Sequence, residues 1–468
     1  MKAVLLCGGI GHRMFPITED KFLLKFLGKT LFEHQIEVAK EAGITDFVIV
    51  GNPQNIGRIE GIVSNIPGVR IELTLQKEPL GIADALKSAE HLLDGEIIAV
   101  NSNDVFESSA YSRLINVRNT NPAISYLLGY EVKDYFPGGY LVVDGEGELK
   151  LITEKPERGK EPSNLVNILV HLHTEPKRLL EYAETIETGR DDVYECALGA
   201  MVKGECKIKV VPHEGFWAPI KYPWHIFPVV RHFLGQSQKY ISPSAYISEK
   251  AVIDGKVVIG DNVRVLENAV IKGPAYIGPN SVIGNNSLVR DYSHIGADCV
   301  VGYSTEVKGS YIGDGCWFHM SYIGDSIIGE GCSFGAGTIL SNFRLDERNV
   351  PVEIEGQSND SGQDKFGAIV GNYSKTGVNV SIMPGVRIGP NSIVGPHVCL
   401  TKDLAPDRMV LPEYEYKTIK NRFTVNKIRK AQGGGGTSKY VWSSWLHRRW
   451  GSCPYCAECA QEIRISGL

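Results

Sequence analysis

The chain has 468 residues, enough for about three domains of average size. Hydrophobic residues make up 43% of it and charged residues 22%, which is typical of a globular protein with a sizeable buried core. The 49 Lys and Arg residues against 54 Asp and Glu give a net charge of −5. This balance argues against a nucleic-acid binder that relies on bulk positive charge, so no nucleic-acid partner is expected.

The sequence shows no membrane or export signal. No apolar run approaches the ~20 residues that cross a bilayer, and the apolar stretch at 3–7 is followed at once by glycines. We therefore expect a cytoplasmic protein with no membrane partner. In such a chain, scattered cysteines are expected to be reduced, small core residues rather than a disulfide framework. Seven of the ten are scattered: Cys7, Cys196, Cys206, Cys299, Cys316, Cys332 and Cys399.

Strands and helices alternate over residues 1–235. This alternation predicts an α/β, Rossmann-like domain with a mostly parallel sheet covered on both faces. The pattern consists of an apolar run at 3–6, a helical stretch at 30–42 that Gly43 ends, a strand at 46–50, a helical stretch at 83–93 and a strand at 96–100.

A different pattern, with a period of six, occupies residues 236–403. Neither a helix nor an ordinary strand has this period, but each side of a triangular solenoid does, with one aliphatic and one small residue pointing inward. We therefore predict a parallel β-helix whose glycines, at 260, 278, 284, 296 and 302, help the chain to turn corners. Ile or Val stands at every sixth position: Ile241, Ile247, Ile253, Ile259, Val265, Ile271, Ile277, Ile283, Val289, Ile295, Val301 and Val307.

The period is lost between Tyr311 and Gly337 and resumes at Val370. The polar segment 343–364 is predicted to be a loop ejected from the coil, since insertions in solenoids leave on one face. Residues 404–431 are predicted to be a capping segment that ends in a basic helical stretch, and 432–468 a glycine linker followed by a cysteine-rich, disordered tail.

The tail carries three thiols at C-x₂-C-x₂-C spacing, Cys453, Cys456 and Cys459, with His447 upstream. Zinc takes four ligands, so a metal knuckle is one interpretation. The other, which we favour because no core is visible around these residues, is a disordered or lineage-specific extension.

A glycine-rich turn, Gly8-Gly9-Ile10-Gly11-His12-Arg13, follows the first predicted strand. Its backbone N–H groups could hold a phosphate chain, and the segment could equally be a tight strand–helix turn. It is not a Walker loop, because no Gly-Lys-Ser/Thr ends it, and it lacks the G-x-G-x-x-G spacing of dinucleotide binders.

Together with Lys21 and the solenoid, this turn resembles the start of sugar-phosphate nucleotidyltransferases, whose signature is G-G-x-G-x-R followed by a Pro-Lys pair; here Asp20 replaces the Pro. The chain up to about residue 430 resembles the bifunctional N-acetylglucosamine-1-phosphate uridyltransferase and glucosamine-1-phosphate N-acetyltransferase family, especially its archaeal members. That resemblance implies a left-handed β-helix behind the nucleotidyltransferase domain.

For the first domain, the resemblance implies that Arg13 and Lys21 offset charge on the transferring phosphoryl group, and that Asp104 holds Mg²⁺. Taken alone, Asp104 could equally be a solvated turn residue. Two further sets of residues match family positions: Gly8, Gly9, Gly11, Gln76 and Gly81 for the nucleotide, and Gly139, Glu154 and Asn167 for the sugar.

One segment departs from the family. Its members have a second metal-holding Asp or Asn after an aromatic residue near the end of this domain. The corresponding stretch here, 216–225, contains no carboxylate or amide side chain. Lys221 and His225 are present instead, and a hard cation would not favour the histidine.

For the β-helix, the resemblance implies acetyl transfer from acetyl-CoA within a homotrimer. His319 would be the general base, with Tyr322 and Asn342 contacting the sugar or the oxyanion. Arg290, Lys308 and Lys365 fall on the basic positions that bind the amino-sugar phosphate. Considered alone, His319 is more typical of a partly buried coil residue.

The leading prediction is a bifunctional enzyme that acetylates glucosamine-1-phosphate, or a similar amino-sugar 1-phosphate, and then transfers uridylyl from UTP. One alternative is a nucleotidyltransferase alone, using UTP or dTTP, with the β-helix as an oligomerisation scaffold. Another is a non-catalytic sugar-nucleotide sensor, for which the missing carboxylate at 216–225 is the best support.

Overall fold

The computed structural model describes residues 1–9 and 11–421. The predicted basic helical stretch, the glycine linker and the Cys453, Cys456 and Cys459 cluster lie outside the described residues, entirely or for the most part. Residues 1–413 form one compact unit that contains both predicted domains. Within the described ranges, no helix is both long and apolar enough to cross a bilayer.

The first domain is built on a nine-stranded mixed sheet flanked by helices. The strands of the domain are β1 (Lys2–Leu6), β2 (Lys25–Phe26), β3 (Lys29–Thr30), β4 (Asp46–Gly51), β5 (Arg70–Leu75), β6 (Ile97–Asn101), β7 (Asp104–Phe106), β8 (Ser125–Glu131), β9 (Gly139–Val143), β10 (Leu149–Glu154), β11 (Leu165–His173), β12 (Ile208–Pro212) and β13 (Trp217–Pro219). In the sheet they run in the order β10-β9-β11-β6-β1-β4-β5, and β8 joins β11 to β12. The helices are α1 (Leu31–Glu41), α2 (Ile56–Val63), α3 (Ile82–Ser88), α4 (Ser109–Thr120), α5 (Pro176–Glu184), α6 (Val193–Lys203) and α7 (Ile226–Gln236).

The sheet is less parallel than the alternation of strands and helices predicted. Strands β1, β4, β5 and β6 are parallel, as expected, whereas β11 is antiparallel to β6, β8 and β9. The predicted helix at 30–42 is confirmed as α1. The Thr30 hydroxyl caps it by accepting from the Glu33 N–H, and Gly43 follows it with φ +85°.

Three parallel sheets wind into the predicted β-helix. Ile241 pairs with Ile259, 18 residues later, which is three sides of six residues. The inward aliphatics from Ile259 to Val307 are fully buried, so the periodic pattern is confirmed as the core. The strands are β14 (Tyr240–Ile241), β15 (Tyr246–Ile247), β16 (Val252–Asp254), β17 (Val257–Ile259), β18 (Arg264–Val265), β19 (Val270–Lys272), β20 (Ala275–Ile277), β21 (Val282–Ile283), β22 (Leu288–Arg290), β23 (Ser293–Ile295), β24 (Val300–Val301), β25 (Glu306–Lys308), β26 (Tyr311–Ile312), β27 (Trp317–Phe318), β28 (Tyr322–Gly324), β29 (Ile327–Ile328), β30 (Ser333–Phe334), β31 (Ile339–Leu340), β32 (Pro351–Ile354), β33 (Gln357–Asp360), β34 (Ile369–Val370), β35 (Lys375–Thr376), β36 (Ser381–Ile382), β37 (Arg387–Ile388), β38 (Ile393–Val394), β39 (Cys399–Leu400) and β40 (Met409–Val410).

The coil does not break where the period is lost. Glu306 pairs with Tyr322, only 16 residues later, because some sides of the triangle shorten. Phe318 and Ile323 still point inward and are fully buried. At the other end the coil continues past residue 403, since β40 pairs with β38.

The corner glycines have a different role from the one predicted. None of the glycines at 260, 278, 284, 296 and 302 has a positive φ; each lies where a Cβ would collide with the next coil. A Cβ on Gly278, for example, would lie 2.4 Å from the carbonyl carbon of Gly296. The left-handed corners are occupied mainly by Asn and Asp, which tolerate that conformation: Asn262, Asn268, Asn280, Asn286 and Asp298.

The segment predicted to be an ejected loop does leave the coil, between β31 and β34, and it forms an antiparallel hairpin of β32 and β33. Val350, Val352 and Ile354 are buried in a cluster that also contains Trp224 and Phe366. The insertion therefore packs back against the first domain.

The two domains meet along an aromatic column. The rings of Tyr276 and Tyr311 each stack on His294 with centroids 4.9 Å apart, and Phe26 packs against Tyr311. Burial lowers the pKa of His294 to about 4, so the ring is neutral, and its Nε2 accepts a hydrogen bond from the Leu27 N–H at 3.2 Å. The β2–β3 turn is thereby fixed on the β-helix.

The seven scattered cysteines are all free. Cys7, Cys299, Cys316 and Cys332 are buried, as expected for small core residues. Cys196 and Cys399 are exposed, which was not expected, and Cys206 is half-buried.

Gly278→Ala is predicted to destabilise the β-helix by about 1–3 kcal/mol, because backbone lies where the new methyl group would be. Gly61→Ala, in α2, is the control: its Cβ meets nothing within 4 Å, and the change should stabilise the helix by about 0.5–1 kcal/mol. Thermal unfolding of both variants measures the difference. If the two changes altered thermal stability equally, close stacking of the coils at Gly278 would be contradicted.

Candidate active sites

The first candidate site lies where β1 and β6 end. The two strands are parallel neighbours with Leu6 paired to Asn101, so the residues that follow them emerge at one edge of the sheet. Gly8 and Gly9 follow β1, and Asp104 comes three residues after β6. They border a cavity of about 470 Å³.

Eight of the residues predicted for this site line that one cavity: Gly8, Gly9, Gln76, Gly81, Asp104, Gly139, Glu154 and Asn167. Three others, Gly11, Arg13 and Lys21, are outside its lining, and Lys21 is close enough to Asp104 and Arg13 for both charges to act on it. Gly11 contacts Lys21, since a Cβ on Gly11 would be 3.1 Å from the Lys21 Cε. Burial lowers the pKa of Lys21, and the electrostatic influence of Asp104 opposes that shift.

Around the residues predicted to bind the nucleotide, glycines allow side chains to approach the backbone. A Cβ on Gly8 would lie 2.0 Å from the Gln76 Oε1, and one on Gly81 would lie 2.1 Å from the Asp191 Oδ1. The Gln76 amide donates to the Gly81 carbonyl at 3.0 Å and to the Asp84 carboxylate at 2.9 Å. Gln76 is thus held in place as a side chain that a base could contact.

The three residues predicted to bind the sugar lie together: Gly139 lies against Glu154 and Asn167, and a Cβ on Gly139 would be 3.0 Å from the Glu154 Oε2. The Asn167 Oδ1 accepts from the His171 Nε2 at 2.8 Å, and the His171 Nδ1 accepts from the Tyr194 hydroxyl. Burial keeps the pKa of His171 well below its ordinary value, so it is neutral. The network leaves the NH₂ group of Asn167 as a donor beside the cavity.

Asp104 is 5% exposed. Its Oδ2 accepts from the Trp217 indole N–H at 3.0 Å, and its Oδ1 accepts from the Asn101 amide at 2.9 Å. Burial raises the pKa of this carboxyl, while Trp217 and the nearby Lys221 and Lys21 lower it. Sequence analysis missed the role of Trp217, which lies 113 residues away in the chain.

Lys221 occupies the stretch in which the family's second carboxylate was expected. Its Nζ donates to the Pro137 carbonyl at 2.6 Å and lies 3.8 Å from the centroid of the Phe136 ring. Burial lowers its pKa to about 8, and Asp104 opposes the shift. Lys221 lines the cavity, and its position could not be foreseen from the sequence because it depends on how β13 pairs with β7.

The oxygen ligands around Asp104 determine how this site could hold Mg²⁺. Asp104 is the carboxylate next to the glycine turn, and each of its oxygens, although hydrogen-bonded, can accept one more partner. Among the described residues, no group of three or more His, Cys, Asp or Glu side chains could hold a metal ion. The residues therefore fit Mg²⁺ only as an ion anchored by one carboxylate, with substrate phosphates and water as its other ligands.

Sequence analysis missed two acidic residues, Glu195 and Asp191, which line the cavity together with Glu154. Lys155 pairs with Glu154 at 2.9 Å. Burial, with a contribution from Glu154, raises the pKa of Glu195 to about 8. Glu195 is therefore protonated at neutral pH and can donate a hydrogen bond.

The second candidate site lies along one edge of the β-helix. Arg290 at the end of β22 pairs with Lys308 at the end of β25, one coil further on. The Lys308 ammonium contacts the Asp325 carboxylate at 2.6 Å, and Arg290 pairs with Glu306 at 2.8 Å. Both acidic partners were missed, because their proximity depends on coil register.

Asn342 joins this cluster, and its amide donates to the Tyr322 hydroxyl at 3.2 Å and to Asp325. Lys365 lies close by, since the N–H of the following residue, Phe366, donates to the Asn342 carbonyl at 2.9 Å. Arg290, Lys308, Tyr322, Asn342 and Lys365 are thus brought to one region.

His319 lies apart from that cluster, in the turn after β27. Its side chain is exposed and has no hydrogen-bond partner within the described chain. Its neighbours Trp317 and Met320 are 52% and 51% exposed. The described chain therefore shows His319 at a surface rather than inside a closed site.

Comparison with known proteins agrees with this arrangement. The nucleotidyl transferase family model matches residues 2–218, and the bacterial transferase hexapeptide model, of six repeats, matches 256–291 and 367–402. The fold and the two sites thus define a transferase with an N-terminal nucleotidyltransferase domain and a left-handed β-helix of hexapeptide repeats.

Relatives match along nearly the whole described length. The bifunctional sugar-1-phosphate nucleotidylyltransferase/acetyltransferase of Sulfurisphaera tokodaii is 33% identical over 416 residues, which cover 86% of this chain and 98% of that protein. The bifunctional protein GlmU of Methanococcus maripaludis strain C7 is 37% identical over 429 residues, covering 90% of this chain and all of the relative. The chain belongs to the family of bifunctional sugar-1-phosphate nucleotidylyltransferases/acetyltransferases.

Glu195→Gln should stabilise the protein at high pH and have little effect at low pH. The folded-state pKa is raised to about 8, so the folded protein keeps a proton that the unfolded chain releases, and stability falls as the pH rises toward 8. Between about pH 5.5 and about pH 9, the wild type should lose more than about 1.4 kcal/mol relative to the variant, the equivalent of one pKa unit. Urea unfolding at both pH values measures this loss; a difference that does not change with pH would contradict a protonated Glu195.

Proposed function

We propose that this chain catalyses two consecutive transfers in the cytoplasm: acetylation of glucosamine-1-phosphate by acetyl-CoA, and uridylyl transfer from UTP to the resulting N-acetylglucosamine-1-phosphate. The observation that carries the proposal is the single cavity at the β1–β6 edge. Its lining combines the glycine backbone of Gly8 and Gly9 with Gln76, Asp104, Glu154 and Asn167. Such a cavity suits a nucleotide together with a sugar phosphate.

In the first site, a phosphate oxygen of the sugar 1-phosphate attacks the α-phosphorus of UTP in line, and pyrophosphate leaves with the electrons of the broken P–O bond. Arg13 and Lys21 offset the charge on the transferring group. Mg²⁺, when held by Asp104 and phosphate oxygens, supplies further positive charge there. The free NH₂ of Asn167 suits the carbonyl of an N-acetyl group, which favours the acetylated sugar as substrate.

In the second site, the glucosamine amine attacks the thioester carbon of acetyl-CoA and His319 takes a proton from the amine. The C–S bond breaks, and CoA leaves as a thiol after it receives that proton. Arg290, Lys308 and Lys365 bind the sugar phosphate, and Tyr322 and Asn342 contact the sugar or the oxyanion. We further propose a homotrimer in which a neighbouring copy completes this site. The exposed side chains of Trp317, Met320 and Ile339, close to the exposed His319, support an interface at this surface.

A second candidate function keeps substrate binding without uridylyl turnover. It is favoured by one specific observation, the single carboxylate next to the glycine turn. Measuring pyrophosphate release, rather than UTP binding, separates the two.

His319→Ala should reduce acetyl transfer by about 10²–10⁴-fold and leave uridylyl transfer unchanged, because the general base is lost from one site only. Acetyl transfer is followed by thiol release from acetyl-CoA in the presence of glucosamine-1-phosphate. If the variant acetylates as fast as the wild type, the assignment of His319 is wrong. If the wild type itself releases no thiol, the β-helix is a scaffold.

Asp104→Asn should give the reverse pattern, with pyrophosphate release from UTP and N-acetylglucosamine-1-phosphate reduced by at least about tenfold and thiol release preserved. The side chain of Asn is isosteric with that of Asp, and its one amide oxygen can still accept from either Trp217 or Asn101, so the fold should persist. The second candidate would be supported if the wild type binds UTP but releases no pyrophosphate, whether the sugar phosphate or the UTP is in excess.

A further inference from the structure

Lys221 lines the first cavity near both Asp104 and the 136–138 loop. Strand β13 pairs with β7 so that Pro219 lies opposite Asp104, and Lys221 follows two residues later. Its Nζ reaches the 136–138 loop, where it donates to the Pro137 carbonyl and lies 3.6 Å from the position that a Cβ on Gly138 would take. Gly139, the next residue, lines the cavity and is one of the residues predicted to bind the sugar.

The ammonium of Lys221 has no carboxylate partner in a salt bridge within the described chain. Its contacts are a neutral carbonyl and the face of the Phe136 ring, which leaves two of its three N–H donors for a ligand in the cavity. This differs from Lys155, whose charge is taken up by Glu154 at 2.9 Å. A mostly buried cation without a paired anion is costly unless a ligand supplies the anion.

Positive charge also exceeds negative charge around Asp104. Lys21 and Lys221 both act electrostatically on that one carboxylate, and Arg13 acts on both lysines. Elsewhere in the lining the charge is negative, from Glu154 and Asp191, while Glu195 is protonated and adds none. The surroundings of Asp104 therefore suit phosphate, and the Glu154 and Asp191 carboxylates suit the hydroxyl donors of a sugar.

We propose that Lys221 binds the phosphate group of the sugar 1-phosphate and orients the attacking oxygen, at the position where the second metal-holding carboxylate of the family is missing. The inference rests on the proposed function. Two anions must approach each other in that reaction, so a cation near Asp104 and the predicted sugar-binding residues lowers their repulsion. The protein's own charge thus takes over part of what a second carboxylate–metal contact would provide.

Binding measured without metal tests this role directly. Isothermal titration of the full chain with N-acetylglucosamine-1-phosphate, in EDTA at neutral pH, should show Lys221→Met binding at least about tenfold more weakly than the wild type, since a charge-assisted contact to phosphate is lost. UTP, titrated separately, should bind both proteins with the same affinity within about twofold. Lys221→Arg, which keeps the charge, should recover part of the lost affinity.

Lys209→Met is the matched control. Lys209 is also a buried lysine of this domain that donates to a backbone carbonyl, that of Glu146 at 2.9 Å, but it lies outside the cavity lining. It should bind both ligands like the wild type. Thermal unfolding of the variants shows whether each is folded.

The inference is wrong if Lys221→Met binds the sugar phosphate as tightly as the wild type, or if the loss falls on UTP instead, which would assign Lys221 to the nucleotide phosphates. It is also wrong if Lys209→Met loses the same affinity. A wild type that binds neither N-acetylglucosamine-1-phosphate nor glucose-1-phosphate would instead overturn the proposed function, and the inference with it.

Discussion

The alignment of β1 with β6 is the constraint on which the first site depends. Parallel neighbours in register bring their carboxyl ends together, so the glycine turn after Leu6 and the Asp104 segment after Asn101 must share one edge. Val4 and Ala99 are fully buried in one core cluster and Leu5 and Val100 in another, so close packing on both faces of the sheet holds this register. The pairing of Pro219 with Asp104 adds Trp217 and Lys221 to the same place. The proposed phosphate-binding centre thus follows from strand register.

Strand register also determines which residues meet in the β-helix. Stacked coils align equivalent residues of successive turns, so Arg290 lies beside Lys308 and both find carboxylate partners in adjacent coils. Like charges at neighbouring positions would otherwise repel. The shortened sides near Tyr322 keep the core packed while they change which residues face outward. The aromatic column through His294 then joins this rod to the β2–β3 turn, a few residues from Lys21.

A six-residue period determines an inward side chain at each step, so the coil core could be predicted from a local pattern. The eight cavity residues were predicted from the family resemblance that the glycine turn, Lys21 and the solenoid carry. Contacts made between distant strands could not be predicted: Trp217 on Asp104, Asp325 on Lys308, and the position of Lys221. The corner glycines were misinterpreted. A side chain at these positions would collide with the adjacent coil, and the sequence alone does not show how closely the coils approach each other.

The proposed function requires that one chain links both transfers. The most direct test is phosphorus NMR of a single reaction that contains glucosamine-1-phosphate, acetyl-CoA, UTP and Mg²⁺. The sugar-phosphate signal should be replaced by the pyrophosphate-diester signals of a UDP-sugar and by free pyrophosphate, and nothing should be consumed when acetyl-CoA is left out. Formation of a UDP-sugar without acetyl-CoA, or acetylation with no later loss of UTP, would contradict it.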